Sequence, residues 1–292
     1  MADNVEHDYH LVEPSPWPLL GSLAVTTLAM GAVIYMKGLF GLAEGTPWVM
    51  LAGFAFVGYV MFGWWGDVIK ESRAGDHTPV VQIGLRYGMI MFIASEVMFF
   101  VAWFWSFFEM AIFHGARAGG TFDSALYAGL AEWASWPPPQ TDGRPAVEVF
   151  NPFHLPLINT FILLLSGTTV TAAHHDIIHN NRSRATSWLA VTVVLGLIFT
   201  LLQAVEYAEA GFAYDGSIYG AAFFMATGFH GAHVVIGTIF LFVCLVRLMR
   251  GGFTPQKHFG FEAAAWYWHF VDVVWLFLFA FVYVTPYLVL GH

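Results

Sequence analysis

Six ionisable side chains interrupt stretches of the chain that are otherwise strongly apolar. They are Glu96, Glu109, His230, His233, His269 and Asp272. An ionisable group inside a membrane costs free energy unless it has a partner, so each of these positions is a candidate for function. Carboxyl and imidazole groups in such places carry protons, bind metals or hold a neighbouring helix through hydrogen bonds.

Glu96 is a carboxyl near the middle of a predicted membrane helix. It follows Arg86 by ten residues, which corresponds to about 15 Å along a helix. Its neighbours, among them Val97 and Phe99, are apolar. Two interpretations follow: a carboxyl that carries protons or contacts lipid, and a protonated glutamate that is hydrogen-bonded to a neighbouring helix.

Three histidines lie deep in the apolar stretches. His230 and His233 are three residues apart and share one helix face. His269 is followed by Asp272 at the same spacing, which predicts a hydrogen-bonded buried pair. Haem ligation needs an axial histidine that faces a second ligand across the helix bundle. We therefore favour structural hydrogen bonding over haem or copper ligation, and we assign no metal ligand.

A second group of polar residues lies where two apolar stretches end. Tryptophans of the kind found at membrane interfaces come first, and charged residues follow. This group comprises Trp64, Trp65, Asp67, Lys70, Glu71, Arg73 and His77. Arg247 and Arg250 end another stretch, and guanidinium groups match the geometry of phosphate. The group is typical of a phospholipid-head site, although ordinary basic residues of solvated loops give the same pattern.

The composition of the 292 residues places these groups in a membrane protein. Hydrophobic residues make up 58% and charged residues only 11%, against about 25% charged residues in soluble domains. A soluble enzyme and a disordered chain are therefore excluded. The net charge of −9 argues against nucleic acid as a partner. The single cysteine, Cys244, excludes an internal disulfide.

Seven stretches are long and apolar enough to cross a bilayer, which predicts an all-α integral membrane protein. The expected spans are 17–37, 46–65, 83–113, 155–175, 188–208, 218–248 and 263–290. Three further segments are an N-terminal segment, an inner connection and a long outer loop rich in glycine and proline. They cover 1–16, 66–82 and about 114–154.

Basic residues set the predicted orientation. Eight of them lie on the N-terminal side: Lys70, Arg73, Arg86, Arg182, Arg184, Arg247, Arg250 and Lys257. Three lie on the other side: Lys37, Arg117 and Arg144. The N-terminus is therefore expected on the inner side of the membrane and the C-terminus on the outer side. The usage of alanine and glycine favours a bacterial cytoplasmic (inner) membrane, so these sides would be the cytoplasm and the periplasm. A stand-alone transporter or channel that uses Glu96, and a b-type cytochrome, remain alternatives at this point.

Five runs of residues resemble one family closely. They are WWGDVIKE (64–71), RYGM (86–89), SEVMFF (95–100), ATGFHGAHV (226–234) and GFEAAAWYWHFVDVVW (260–275). These runs are similar to subunit III of the haem–copper cytochrome c oxidases of the haem a type. The resemblance covers nearly the whole chain, and the last two runs are highly specific. The outer loop departs from the family pattern because it is expanded, so its contacts are open.

The resemblance implies both an architecture and a role. The seven helices would form two bundles, 17–65 and 83–292, separated by a V-shaped cleft filled with phospholipids. The haem a-type groups and the copper would belong to partner subunits, the catalytic subunit I and the copper-bearing subunit II. This chain would then carry no redox cofactor and no catalytic residue. It would support the stability and proton uptake of an oxidase that transfers electrons from its donor to dioxygen and pumps protons.

The resemblance also implies roles for individual residues. The contacts to lipid heads would be Trp65, Glu71, His77 and Arg247, with Arg250 and Arg86 as weaker candidates. Glu96 matches the family's buried membrane carboxyl, and His230, His233 and His269 match positions that bind no metal. We further expect the cleft lipids to offer dioxygen an apolar reservoir. His7 and His10 would titrate near neutrality beside a proton entry point.

Overall fold

The computed structural model describes Tyr9 and residues 14–118, 135–138, 147–214 and 217–289. In this part of the chain seven helical spans are long and apolar enough to cross a membrane. Their helices are α1 (Trp17–Lys37), α2 (Trp48–Ala74), α3 (Pro79–Ala118), α4 (Leu155–Ile178), α5 (Arg182–Ala208), α6 (Ile218–Met249) and α7 (Phe259–Leu278). A π-helical turn, Phe279–Val284, and a short helix α8, Thr285–Val289, complete the seventh span. The all-α membrane fold predicted from the sequence is confirmed.

The helices extend beyond the apolar stretches from which they were predicted. Helix α2 continues to Ala74, so the expected inner connection 66–82 is mostly helical and only residues 75–78 separate α2 from α3. The apolar stretch ends where the chain leaves the bilayer, but a helix ends where its hydrogen bonding changes. That change comes at Gly75, which has a left-handed φ of 101° and donates its N–H to the carbonyl of Glu71.

The chain divides into two compact units, Met1–Tyr87 and Gly88–His292. In the first unit, α1 and α2 pack closely through glycines. A Cβ on Gly53 would lie 2.5 Å from the Cα of Leu28, and a Cβ on Gly31 would collide with the backbone of Met50. Only glycine at these two positions lets the helix backbones come so close.

One polar contact ties the beginning of α1 to the end of α2. The indole Nε1 of Trp17 donates to Asp67 Oδ2 over 2.8 Å, and Lys70 Nζ pairs with Asp67 Oδ1 at 2.7 Å. The Trp17 ring also packs directly against Gly63. The two helices therefore form an antiparallel hairpin that is fixed at this end by one tryptophan.

The core of the second unit forms around a tryptophan of α7. Trp268 is fully buried, and its Nε1 donates to Ser166 Oγ of α4 over 2.8 Å. Its ring fits into notches at Gly196 of α5 and Gly237 of α6, where a Cβ would lie 2.9 Å from ring atoms. One side chain thus contacts three neighbouring helices.

Other hydrogen bonds join the helices of the second unit. They run from Trp275 Nε1 to Thr160 Oγ1 (2.9 Å), between the hydroxyls of Thr169 and Thr192 (2.8 Å), and from Tyr207 Oη to Thr227 Oγ1 (2.8 Å). Burial of apolar surface gives little drive for helix association inside lipid. Close packing and such hydrogen bonds are therefore the forces that hold these helices together.

Candidate functional site

The two residues at the centre of the candidate site are Glu96 on α3 and His233 on α6. Glu96 Oε2 lies 2.7 Å from His233 Nε2. The other ring nitrogen, Nδ1, lies 2.6 Å from the carbonyl oxygen of Phe229. The structure thus shows the hydrogen bond to a neighbouring helix that one interpretation of Glu96 expected, and a proton-carrying role of this carboxyl stays a prediction.

The hydrogen bonds of His233 define where protons sit in this pair. A carbonyl oxygen only accepts, so Nδ1 of His233 carries a hydrogen that it donates to Phe229. One further proton is then shared between Nε2 and the Glu96 carboxyl. The pair is net neutral whether that proton lies on the imidazole or on the carboxyl. Net neutrality lowers the cost of holding the two groups within a membrane span.

Aromatic rings surround the imidazole of His233. Ring centroids of Phe99, Phe100, Tyr267 and Phe270 lie 4.9–6.3 Å from it. Two helices, α3 and α7, contribute these rings. The rings shield the pair on several sides, and the side chains of His233 and Glu96 keep 11% and 23% of their surface exposed.

His230 lies one turn before His233 and makes different contacts. Its side chain is buried, Nε2 donates to the carbonyl of Val271 over 3.0 Å, and the ring packs against Trp275 at 5.1 Å. Nδ1 has no hydrogen-bond partner among the described residues. These contacts give His230 a role in joining α6 to α7.

The expected hydrogen bond between His269 and Asp272 is wrong. His269 Nε2 instead lies 3.1 Å from Thr171 Oγ1 of α4. Within the described residues Asp272 Oδ1, which is buried, has no hydrogen-bond partner. Both side chains project from α7 towards α4. The imidazole of His269 therefore bonds the hydroxyl of Thr171 on α4 and not the carboxyl of Asp272.

The residues predicted to bind lipid heads fall in both units. Trp65 and Glu71 lie on α2, His77 lies in the turn 75–78, and Arg86 lies on α3. These four belong to the first unit, whereas Arg247 and Arg250 belong to the second. Trp65 and Arg250 are exposed, and Glu71, His77, Arg86 and Arg247 are half-buried.

Several contacts hold the side chain of Arg247. Its Cζ lies 4.4 Å from the centroid of the Phe253 ring, a cation–π contact. Nη1 lies 2.9 Å from the position that a Cβ on Gly260 would take. The Gly252 N–H donates to the Arg247 carbonyl over 2.7 Å, which folds the chain back beside the guanidinium. The guanidinium is thus held at the end of α6.

Two clusters were not predicted from the sequence. His174, His258 and Glu262 bring ligand atoms within 4.8 Å of one another, and a zinc ion accepts such a donor set. The spacing of His258 and Glu262, one helical turn, was the available signal. His258 Nε2 and Glu262 Oε1 are 3.7 Å apart, and the imidazole rings of His174 and His258 are 5.3 Å apart.

The second cluster lies between α5 and the π-helical turn. Glu206 Oε1 accepts from Tyr283 Oη at 2.5 Å and from Gln203 Nε2 at 3.0 Å. Glu206 is buried, although its position near the predicted outer end of its span placed it at the interface. Only the tertiary structure shows that Tyr283 of the π-helical turn covers it.

Comparisons with known proteins point to a single family. The sequence profile of the family described as cytochrome c oxidase subunit III matches residues 7–287. Proteins named cytochrome c oxidase subunit 3 are similar over most of their length. Those of Arabidopsis thaliana and Marchantia polymorpha are 48% and 49% identical over 97% of this chain and 98% of their own. That of Struthio camelus is 46% identical over 95% of this chain and 97% of its own.

Proposed function

We propose a function for this chain from its family: it belongs to the cytochrome c oxidase subunit III family and is therefore a subunit of the respiratory oxidase. In that complex, we propose, the chain binds phospholipids and supports the stability and the proton uptake of the oxidase. Electron transfer from cytochrome c to dioxygen would take place on haem and copper of subunits I and II. The residues of this chain would supply packing, lipid contacts and proton-exchanging groups, with no redox cofactor of their own.

The observation that carries the lipid proposal is the position of Arg247. Its guanidinium is held by the Phe253 ring and beside Gly260, at the end of α6 that is predicted to face the cytoplasm. Arg250 and Lys257 lie nearby in sequence and are exposed. A guanidinium that is already immobilised loses little side-chain entropy when it binds a phosphate, which favours a lipid that stays bound through purification.

The experiment is lipid analysis of the purified oxidase that contains Arg247→Ala. We expect the amount of anionic phospholipid per complex to fall, because the variant loses the fixed guanidinium. Arg184→Ala is the matched control, since Arg184 is exposed and pairs only loosely, at 3.6 Å, with Asp176. Equal phospholipid content in Arg247→Ala and the unsubstituted complex, measured by mass spectrometry, would overturn the lipid proposal.

The proposal on proton uptake has two parts. Glu96 and His233 share a proton within the membrane, which supports a carboxyl that takes part in proton exchange. His7 and His10, which lie outside the described residues, would collect protons at the membrane surface. Removing the residues before Pro14 is expected to slow proton uptake at mildly alkaline pH. Unchanged uptake rates from mildly acidic to mildly alkaline pH would contradict this part.

The proposed location follows from the spans and the basic residues. The chain is a multi-pass integral membrane protein. We propose an N-terminus on the cytoplasmic side of a bacterial inner membrane. The similar proteins named above come from two plants and a bird, which favours the mitochondrial inner membrane as a second candidate. Fractionation of the source cells distinguishes the two membranes. We also propose that the lipids bound to this chain offer dioxygen an apolar reservoir.

A further inference from the structure

Three side chains that can bind a metal ion meet where α4 ends and α7 begins. His174 lies one turn before the end of α4, His258 directly precedes α7, and Glu262 lies in the first turn of α7. One ligand atom of each lies within 4.8 Å of the other two. The cluster is separate from the histidines that the apolar stretches singled out, and it joins two helices that are distant in sequence.

The hydrogen bonding of His258 leaves one of its ring nitrogens as an acceptor. Nδ1 lies 3.1 Å from the carbonyl oxygen of Thr254, and because a carbonyl only accepts, Nδ1 carries the hydrogen. Nε2 of the neutral ring then has a lone pair. Thr254 and Lys257 exchange backbone hydrogen bonds of 3.2 and 3.1 Å, which fix the turn that supplies this carbonyl. A histidine oriented by one backbone carbonyl is the usual arrangement of a metal ligand.

The imidazole of His174 has an unsatisfied nitrogen. Its Nε2 is buried and has no hydrogen-bond partner in the part of the chain that the structure describes. The ring centroid lies 5.3 Å from that of His258 and 5.6 Å from that of Phe261, so the ring packs against the beginning of α7. A buried polar atom without a partner costs free energy, and coordination of an ion would remove that cost.

The separation of the ligand atoms suits a metal ion better than a shared proton. His258 Nε2 and Glu262 Oε1 are 3.7 Å apart, which is longer than the N–H···O hydrogen bond of about 2.7–3.2 Å. Zinc binds imidazole nitrogen and carboxylate oxygen at about 2.0–2.2 Å, so neighbouring ligands of a tetrahedral site lie about 3.4 Å apart. Small rotations of these side chains would therefore close the cluster around an ion.

The donor atoms and their exposure define the class of ion. Two imidazoles and one carboxylate suit zinc and similar transition metals, whereas magnesium and calcium prefer oxygen ligands. Three protein ligands leave the fourth tetrahedral position to water. The side chains of His258 and Glu262 are 11% and 14% exposed, so water and an ion reach the cluster from the membrane surface that is predicted to face the cytoplasm.

We propose that His174, His258 and Glu262 form a binding site for a divalent transition-metal ion of the zinc type, with water as the fourth ligand. The bound ion links the end of α4 to the beginning of α7. It transfers no electrons, because zinc has no redox chemistry, so the site is compatible with a subunit that lacks a redox cofactor. This inference is independent of the proposals on lipid and proton uptake.

Equilibrium dialysis of the purified oxidase against zinc tests the site by counting the ions bound per complex. We expect Glu262→Gln and His258→Ala to lose one zinc ion per complex, or to bind it about tenfold or more weakly. Excess magnesium should not displace this ion. His154→Ala is the matched control, because His154 is exposed at the opposite end of α4. Zinc bound by other subunits is the same in all of these complexes and cancels in the comparison.

The Glu262→Gln variant keeps the shape of the side chain, so it serves if His258→Ala fails to assemble. Equal numbers of zinc ions, bound with equal affinity, in Glu262→Gln and the unsubstituted complex would overturn the proposal.

Chemical labelling of the unsubstituted complex gives a test that needs no variant. Diethyl pyrocarbonate modifies accessible imidazole nitrogens, and mass spectrometry locates the modified histidines. We expect zinc to protect His258 and to leave the labelling of His154 unchanged. Labelling of His258 that zinc does not reduce would also overturn the proposal. Neither result affects the lipid proposal, which Arg247→Ala tests separately.

Discussion

The hairpin of α1 and α2 and the group of helices α4–α7 are held together in different ways. In the hairpin, backbones meet at Gly31 and Gly53, and one tryptophan fixes one end. In α4–α7, a buried tryptophan and several interhelical hydrogen bonds fill the interior. The hairpin has few fully buried side chains, such as Ile34 and Val60, and exposes most of its surface. The difference indicates that side-chain packing and hydrogen bonds hold α4–α7 together, whereas the hairpin depends on close backbone contact.

The largest effect is expected from the core of the second unit. Trp268→Ala removes the ring from the notches at Gly196 and Gly237 and leaves Ser166 without its donor. The expected loss is about 3–5 kcal/mol of unfolding free energy. Thermal unfolding of the purified complex measures it. Trp105→Ala, at an exposed position on α3, should change the midpoint much less. Equal shifts in the two variants would show that the Trp268 ring does not hold α4–α7 together.

A smaller effect is expected in the hairpin. Gly53→Leu forces α1 and α2 apart because its Cβ would lie 2.5 Å from the Leu28 backbone. Overpacking of this kind costs about 1–3 kcal/mol. Gly58→Leu is the control, since a Cβ there meets nothing within 4 Å. Limited proteolysis of residues 38–47, between the two helices, should accelerate in Gly53→Leu only. Equal cleavage rates for both variants would show that close backbone contact does not hold the hairpin.

The smallest effect is expected from a single interhelical hydrogen bond. Thr160→Val keeps the volume of the side chain but removes the acceptor of Trp275 Nε1. We expect a loss of about 1 kcal/mol, because the indole N–H stays buried without a partner. Thr26→Val, whose hydroxyl bonds only to its own helix, serves as the control in the same thermal measurement. An unchanged midpoint for Thr160→Val would mean that packing alone holds these helices together.

The spans were predictable because hydropathy is a local property of the chain. Helix ends were less so: α5 begins at Arg182 rather than 188, and α2 ends at Ala74 rather than 65. Polar residues at the ends of these helices lower the local hydropathy without breaking the hydrogen bonding of the backbone. The bounds of a helix and the bounds of its membrane span are therefore different quantities.

Side-chain partners were harder to predict than spans. The spacing of His269 and Asp272 suggested a pair, yet the imidazole bonds Thr171, which is 98 residues away in sequence. Glu96 and His233 are 137 residues apart, and each alone had several possible partners. The rotation of each helix about its axis decides which residues meet. In a membrane protein nearly all faces of a helix are apolar, so the sequence does not show which face points to which neighbour.

The sequence by itself determined that the chain is a seven-span membrane protein of one oxidase-subunit family, and where ionisable groups enter the membrane. Both follow from residue types along the chain. The tertiary structure decided how those groups are satisfied: Glu96 by His233, His269 by Thr171, and Asp272 by no described residue of this chain. Hydrocarbon offers a polar group no hydrogen-bond partner. The packing of the helices therefore decides whether each polar group finds a hydrogen-bond partner within the chain.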